Sequence, residues 1–319
     1  MAGFPETLQQ VILYFSDPDR ALNFAVRMRW PEGVSCPRCG CDVVYFIATR
    51  RNWECKGCKK HFSVKVGTIM EDSPIGLDKW LCAMWMLGNC KNGISSYEIA
   101  RDLAVTQKTA WFLLHRIRLV MESGSLEKKL CGQIEADETF IGGKSKNMHA
   151  DRRAREILGS GPVGKAIVMG LLERHGKARI KVIGTRRKKD IHAEIRQHVE
   201  PGSNLYSDAL KSYDGLDDYV HEFIDHTEAY VRGQVHTNGL ENFWSLFKRA
   251  LKGTYVSVEP FHLQAYADEQ AFRFNNRECD DIDRFRAMVS GIAGKRLTYA
   301  ELTGKAGDSG SSPTEEEAF

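Results

Sequence analysis

The sequence has no apolar run long enough to cross a lipid bilayer. Its longest apolar stretch, WLCAMWML, lies at residues 80–87, whereas a membrane-spanning helix needs about 20 apolar residues. The first residues, MAGFPETLQQ, also lack the basic region and apolar core of a secretory signal. We therefore expect a protein without membrane contact in the reducing cytoplasm, where cysteines rarely form disulfides.

The sequence also has little net charge, +3, but this charge is unevenly distributed. Residues 141–190 contain 14 Lys or Arg and 4 Asp or Glu, a local excess of 10 positive charges. Such a block favours binding to a polyanion such as nucleic acid, although a solvated surface would have the same composition. Residues 303–319 are rich in Gly, Ser and Glu, and we expect this tail to be disordered.

Four of the nine cysteines form two CxxC pairs, CPRC and CKGC, with 15 residues between them. This spacing is typical of a tetrahedral zinc site with four thiolates, and the reducing compartment disfavours disulfides. Residues 43–47, 51–54 and 61–64 have strand character, which predicts a zinc ribbon over residues 31–70. Cys41 lies outside both CxxC frames, and the remaining cysteines have no paired spacing. The predicted zinc ligands are Cys36, Cys39, Cys55 and Cys58.

Helical patterns precede and follow the ribbon. Residues 1–30 are predicted to be a helical segment, and residues 75–124 contain a helix over 77–88 and then two shorter helices. Ser95 or Ser96 is a suitable N-cap for the first of these two helices, and Thr106 is suitable for the second. The pair resembles a helix-turn-helix, in which the early residues of the second helix face DNA bases, although an ordinary helical hairpin would have the same pattern. The candidate base contacts are Gln107, Lys108 and Thr109.

The composition changes near residue 125 to strand and turn signals. Strands are predicted at 131–141, 164–174, 178–184, 203–208 and 219–225, and helices at 189–199, near 209–217 and at 238–251. This order, βββαβαβα, predicts an α/β fold of the ribonuclease H-like type over residues 125–290. In that fold, carboxylates gather on neighbouring strands and on a late helix.

Three segments carry a specific resemblance: EADETFIGG, LYSDALKSY and HTNGLENFWSLFKRALKG. Together with the ribbon, they resemble bacterial insertion-sequence transposases of the DDE type, in the group with an ISXO-like catalytic domain. The resemblance implies a catalytic triad of Asp137, Asp208 and Glu241, with 70 and then 32 residues between its members. It also implies that Lys248, two helical turns after Glu241, contacts DNA near the reacting phosphate. Because some relatives have Asn at the third position, Asn238 is an alternative to Glu241.

Carboxylates at these positions suit Mg²⁺, which prefers hard oxygen ligands. Two Mg²⁺ ions, with Mn²⁺ as an expected substitute, would serve the attacking and leaving oxygens of a phosphodiester. Strand alternation places Glu135, Asp137 and Thr139 on one face, so Asp137 is the expected ligand and Glu135 a supporting residue. On the other face, Glu138 is expected to be solvated.

Several residues have a second interpretation. Glu241 could instead close a capping box with Asn238 as N-cap, and Asp208 could cap a helix beginning at residue 209. Trp244 would either stack on a base or pack in the core, and His236 is a weaker candidate for shaping the site. The remaining candidate DNA contacts are the basic insert with Arg152, Arg153 and Arg155, and the group Arg273, Asn275, Asn276 and Arg277.

These observations predict a Mg²⁺-dependent transposase that binds the terminal inverted repeats of its element, cleaves the ends and joins 3′ hydroxyls to target DNA. Its expected partners are double-stranded DNA, as transposon ends and target, and further copies of itself in a dimer or tetramer. We expect it in the bacterial cytoplasm, associated with the nucleoid. Two alternatives remain: a transposase-derived DNA-binding regulator without catalysis, and a nuclease of the same fold that cuts without strand transfer.

Overall fold

The computed structural model describes residues 4–122, 128–142, 151, 164–208, 210–224 and 236–305. The chain divides into two compact units, residues 1–121 with 279–319, and residues 122–278. The domain predicted from the sequence over residues 125–290 includes residues 279–290, together with most of the second unit. In the structure, Phe285 stacks on Phe24 with the ring centroids 5.5 Å apart and contacts Trp85 at 5.4 Å, so this segment belongs to the first unit. The tail from residue 306 lies outside the described residues.

Helices and strands are numbered here along the described parts of the chain. The helices are α1 (Leu8–Phe15), α2 (Pro18–Arg29), α3 (Leu77–Asn89), α4 (Ser96–Asp102), α5 (Gln107–Met121), α6 (Lys188–His198), α7 (Asn238–Ala250), α8 (Leu263–Asn275), α9 (Asp281–Ser290) and α10 (Tyr299–Leu302). The strands are β1 (Val44–Ile47), β2 (Asn52–Cys55), β3 (His61–Phe62), β4 (Gln133–Ile141), β5 (Ala166–Glu173), β6 (Ala178–Ile183), β7 (Asn204–Asp208) and β8 (Val220–Ile224). None of the described helices combines the length and apolar character that crossing a membrane would require.

In the first unit, strands β1, β2 and β3 form an antiparallel sheet. Trp53 on β2 stacks on Phe62 on β3 at a centroid distance of 5.8 Å. This pair forms the centre of a small core with Leu22 of α2 and with two cysteines, Cys36 and Cys55. The three-stranded sheet therefore has a small hydrophobic core, to which α2 and the cysteines also contribute.

Helices α4 and α5 begin where the sequence predicts. Ser95 caps α4 in a reciprocal capping box with Glu98, and the hydroxyl of Thr106 accepts the backbone N–H of Thr109 at the start of α5. Between the helices, Ala104 adopts a left-handed conformation with φ +49°. This conformation reverses the chain direction within a short turn.

The second unit contains a five-stranded sheet in the order β6-β5-β4-β7-β8. Strands β4, β5 and β6 pair antiparallel, whereas β4, β7 and β8 pair parallel. Helix α6 packs on one face through Ile191 and Ile195. Helices α7 and α8 pack on the other face through residues that include Leu240, Phe243 and Leu263. The unit is a mixed α/β layer structure, as the sequence predicts.

The predicted helix near 209–217 is wrong for the part that the structure describes. Residues 210–217 contain only a 3₁₀ turn at Lys211–Tyr213, followed by Gly215 with φ +78°. Tyr213 is fully buried in the core below α6. The burial of Tyr213 in this core therefore determines the conformation of the segment, and no continuous helix forms.

Helix α8 covers the outer edge of β6. The Asn275 side chain accepts the N–H of Ala178 at 2.7 Å and donates to its carbonyl at 2.9 Å. Gln264 likewise accepts from Val182 at 2.8 Å and donates to Ile180 at 3.0 Å. Side-chain amides thus satisfy backbone groups that an edge strand would otherwise expose. Asn275, a predicted DNA contact, instead binds the sheet.

Candidate metal centres and nucleic-acid interface

The four predicted zinc ligands meet at one point in the ribbon. The sulfur atoms of Cys36, Cys39, Cys55 and Cys58 all lie within 4.8 Å of one another. Hydrogen bonds led by the one from the backbone N–H of Cys58 lower the pKa of the Cys55 thiol, which favours the thiolate that zinc requires. The pKa of the neighbouring Cys39 thiol is raised, chiefly by its hydrogen bond with Cys55. In the described parts of the chain, no other group of three or more His, Cys, Asp or Glu donor atoms is this compact.

The two predicted aspartates lie just beyond the paired stretch of two parallel strands, in the middle of β4 and at the end of β7. Glu135 on β4 is paired with Tyr206 on β7, and two residues further along each strand come Asp137 and Asp208. Because strand side chains alternate, both aspartates project to the face that carries α7. Glu241 lies in the first turn of α7 and is exposed.

Asp137 is held by two hydrogen bonds. Its Oδ1 accepts the backbone N–H of Glu138 at 2.8 Å, and its Oδ2 accepts the indole N–H of Trp244 at 2.9 Å. Burial raises the pKa of Asp137 to about 6, and the negative charges of Asp208 and Glu241 act in the same direction. Asp208 and Glu241 are therefore both close enough to act on Asp137, although the oxygens of the three carboxylates do not all lie within 4.8 Å of one another.

Gly170 on β5 makes room for this arrangement. It lies directly opposite Asp137 in the β4–β5 pair. A Cβ atom at this position would approach Leu240 Cδ2 to 2.7 Å and the Trp244 ring to 2.8 Å. Sequence analysis missed this role, although a glycine inside the apolar strand AIVMGLLE is typical of close approach by another element.

Glu135 is buried at 2% exposure and binds three partners. Its carboxylate accepts the Nε–H of Arg174 at 3.1 Å and the backbone N–H of Leu240 at 3.1 Å. His236 Nδ1 lies 3.5 Å from the same carboxylate and 3.2 Å from the Arg174 guanidinium. Arg174, which sequence analysis did not identify, also stacks on the Tyr206 ring at 4.4 Å.

The expectation of a solvated Glu138 is wrong. Its side chain accepts a hydrogen bond from the buried Tyr213 hydroxyl. Burial raises the pKa of Glu138 to about 7, and the charges of Asp208 and Asp137 add to this effect. A periodicity argument misses this contact because the partner lies 75 residues further along the chain.

The capping box that competed with a functional role for Glu241 does not form. Helix α7 begins at Asn238 with Thr237 as its N-cap, and no local side chain caps it. The N–H of Leu240, the third helical residue, binds Glu135 instead. The Glu241 side chain therefore has no capping role. Like Glu241, the side chains of Asn238 and Lys248 are exposed.

Two segments of the chain match known families. Residues 16–61 match a transposase zinc-ribbon domain, and residues 129–275 match an ISXO2-like transposase domain. The chain belongs to the transposases with these two domains. The ribbon family and the four-cysteine cluster together support a structural Zn²⁺ in this transposase.

Two relatives are similar to the transposase. A protein of the transposable element ISH50 from Halobacterium salinarum, described as uncharacterized, is 26% identical over 251 residues, which cover 74% of this chain and 84% of the relative. An uncharacterized transposase-like protein from Haemophilus influenzae is 34% identical over 100 residues, or 30% of this chain and 80% of that protein.

The candidate base contacts of the transposase have partners within the first unit. Gln107 donates to the Ser96 hydroxyl at 2.9 Å, and the Thr109 hydroxyl lies 2.8 Å from that of Thr106. Lys108 is exposed, with its amine 4.7 Å from the ring centroid of Tyr299 in α10. Of the three residues, Lys108 is therefore the most accessible to DNA.

Other candidate DNA contacts have varied positions. Trp244 is buried at 4% exposure, so it occupies the core position that was its second interpretation. Arg273 is buried and pairs with Glu269, whereas Arg277 is exposed. Asn276 donates to the carbonyl of Phe272 at 2.8 Å. Arg152, Arg153 and Arg155 lie outside the described residues.

Proposed function

We propose that this transposase is a Mg²⁺-dependent DDE enzyme that cleaves the ends of its element and joins the 3′ hydroxyls to target DNA. The observation that carries the proposal is the gathering of Asp137, Asp208 and Glu241 on one side of the sheet. Burial raises the pKa of Asp137, and the negative charges of Asp208 and Glu241 add to this effect; a bound cation would offset this cost of ionisation.

The sheet supports a ribonuclease H-like assignment for the second unit. Three antiparallel strands are followed by two parallel ones, with β4 at the centre of the order β6-β5-β4-β7-β8. The acids lie on the central strand, on its parallel neighbour and on the helix that packs above them. This placement is the one that the resemblance to DDE transposases implies.

The donor set suits Mg²⁺ because all three proposed ligands offer hard carboxylate oxygens. When bound, two such ions would activate the attacking oxygen and stabilise the leaving oxygen of a phosphodiester. The protein's own part is to orient Asp137 through Trp244 and to exclude water beneath it. Lys248, exposed two turns after Glu241, would contact a DNA phosphate.

Recognition of the terminal inverted repeats is assigned to the first unit. The ribbon and the α4–α5 pair would bind double-stranded DNA. The pair would act as a helix-turn-helix, with α5 in the major groove of the DNA and Lys108 exposed at the start of α5. Since two ends must be joined, we propose that the active form is a homo-oligomer.

Strand-transfer assays on DNA with the element's own ends separate the proposal from its alternatives. Joined products support a transposase, cleavage without joining supports a nuclease, and binding alone supports a regulator. Glu241→Gln should bind the ends but lose cleavage at least 100-fold, because the amide lacks the charge that a metal ligand supplies. The exposed Glu259→Gln serves as the matched control. Full activity of Glu241→Gln would move the third ligand elsewhere, with Asn238 tested first.

A further inference from the structure

The segment EADE of β4 contains three acids, and only Asp137 is required as a ligand by the proposed function, on which the following inference rests. We infer that Glu135 and Glu138 are positioning residues. Each binds the segment that carries one of the other two acids, and thereby fixes the position of that acid relative to Asp137.

Glu135 holds the start of α7. Its carboxylate accepts the N–H of Leu240, which is the hydrogen bond that a local N-cap side chain would normally accept. A carboxylate is also favoured at a helix N-terminus by the helix dipole. Leu240 immediately precedes Glu241, so this bond fixes the position of the proposed third ligand relative to strand β4.

The packing around Gly239 shows how close this contact is. A Cβ atom on Gly239 would lie 2.8 Å from Glu135 Oε2 and 2.5 Å from Leu172 Cδ2. On the other side of the carboxylate, Arg174 donates both to Glu135 at 3.1 Å and to the carbonyl of His236 at 2.8 Å. The chain entering α7 and the first turn of α7 are therefore anchored to the same acid.

Glu138 holds the loop that follows Asp208. Tyr213 lies five residues after Asp208, is fully buried, and donates its hydroxyl to Glu138. Within the loop, Asp208 Oδ1 accepts the N–H of Leu210 at 3.1 Å. Hydrogen bonds therefore hold the loop at Asp208 and at Tyr213. The bond at Tyr213 connects the loop to β4, the strand that carries Asp137.

Mn²⁺ binding to the zinc-loaded, full-length protein without DNA tests the Glu138 contact. Electron paramagnetic resonance would measure the Mn²⁺ affinity of Glu138→Met, which has no oxygen to accept the Tyr213 hydroxyl, of Tyr213→Phe and of the double variant. Each should bind Mn²⁺ about 10–100-fold more weakly, as expected when a partner of metal ligands is removed. The double variant should be no worse than either single variant, because all three lack the same contact. Tyr219→Phe is the matched control, since its buried hydroxyl binds the distant Val199 carbonyl at 3.3 Å.

The outcomes separate positioning from other roles. If Tyr213→Phe binds Mn²⁺ normally while Glu138→Met does not, Glu138 is a ligand and its positioning role is wrong. A lower melting temperature with unchanged Mn²⁺ affinity would show a purely structural contact and would also overturn the inference.

The Glu135 contact is tested by partial rescue. Glu135→Ala should weaken Mn²⁺ binding about 10–100-fold, and Glu135→Gln should recover part of the affinity because its amide oxygen can still accept the N–H of Leu240. Recovery would not occur if Glu135 bound the metal through its charge. Should the alanine variant fail to fold, Glu135→Gln is compared with Asp137→Asn, and it must bind Mn²⁺ more tightly than that ligand variant does. Equal loss of Mn²⁺ affinity in the two variants then overturns the inference.

Failure of the proposed function would look different. In that case the wild type would not bind Mn²⁺ at this site, or Asp137→Asn would bind it as well as the wild type does. With normal wild-type binding that is lost in Asp137→Asn, the positioning variants test the inference alone.

Discussion

The ribbon and the carboxylate site gather their ligands in opposite ways. The four cysteines lie within 23 residues of sequence, and their sulfur atoms are all within 4.8 Å of one another. The three acids come from two strands and a helix, are spread over 105 residues, and do not form so compact a group. The first site depends on local turns and the second on the packing of a whole domain. We therefore expect the two sites to fail for different reasons.

The largest expected effect is the removal of zinc. The ribbon has only a small core, and binding of zinc in such sites contributes on the order of 10 kcal/mol to folding. Chelation, or Cys55→Ser, should unfold residues 31–70 and leave the five-stranded sheet intact. Hydrogen exchange would detect fast exchange in β1–β3 and unchanged protection in β4–β8. Equal loss of protection in both regions would contradict the local nature of the zinc site.

The carboxylate site should instead be sensitive to helix packing. Gly170→Ala places a methyl group against Leu240 and Trp244, and such overpacking costs about 1–3 kcal/mol. We expect lower stability of the second unit and weaker Mn²⁺ binding, because Trp244 can no longer reach Asp137 without strain. Gly184→Ala is the matched control, since a Cβ atom there meets nothing within 4 Å. Similar behaviour of the two variants in urea unfolding and in Mn²⁺ titration would show that this close approach has no role.

Ionisation of the buried Asp137 carboxyl gives a smaller effect of opposite sign. Because burial raises the folded-state pKa of Asp137 to about 6, its ionised form destabilises the metal-free protein above that pH. Asp137→Asn should therefore increase stability by about 2 kcal/mol near pH 8, a gain that disappears as the pH falls towards the unfolded value of about 4. Hydrogen exchange of β4 amides, measured without added Mg²⁺, would report the difference. A gain that is independent of pH would show that ionisation of Asp137 is not its cause.

The smallest effect tests the edge of the five-stranded sheet at β6, two strands away from the strand that carries Asp137. Asn275→Ala removes the partner of both backbone groups of Ala178. We expect a loss of about 1–2 kcal/mol in the unfolding of the second unit, typical of polar groups left without a hydrogen bond, with Mn²⁺ affinity unchanged. The exposed Glu278→Ala is the control. A large fall in Mn²⁺ affinity would extend the carboxylate site to α8.

Sequence patterns predicted what depends on neighbouring residues. The CxxC pairs predicted the cysteine set, the caps at Ser95 and Thr106 predicted the start of α4 and α5, and strand and turn signals predicted where the strands of the second unit lie along the chain. The same reasoning failed where a distant residue supplies the partner. Glu138 is bound by Tyr213, and Glu135 replaces the local cap of α7. Neither partner can be found from periodicity, because each lies 75 or more residues away.

The central claim is that Asp137, Asp208 and Glu241 together hold divalent ions. Anomalous diffraction from crystals grown with Mn²⁺ would test it most directly. We predict manganese peaks bound by oxygens of all three carboxylates, between the middle of β4, the end of β7 and the first turn of α7. Manganese bound elsewhere, or bound without one of these acids, would contradict the account.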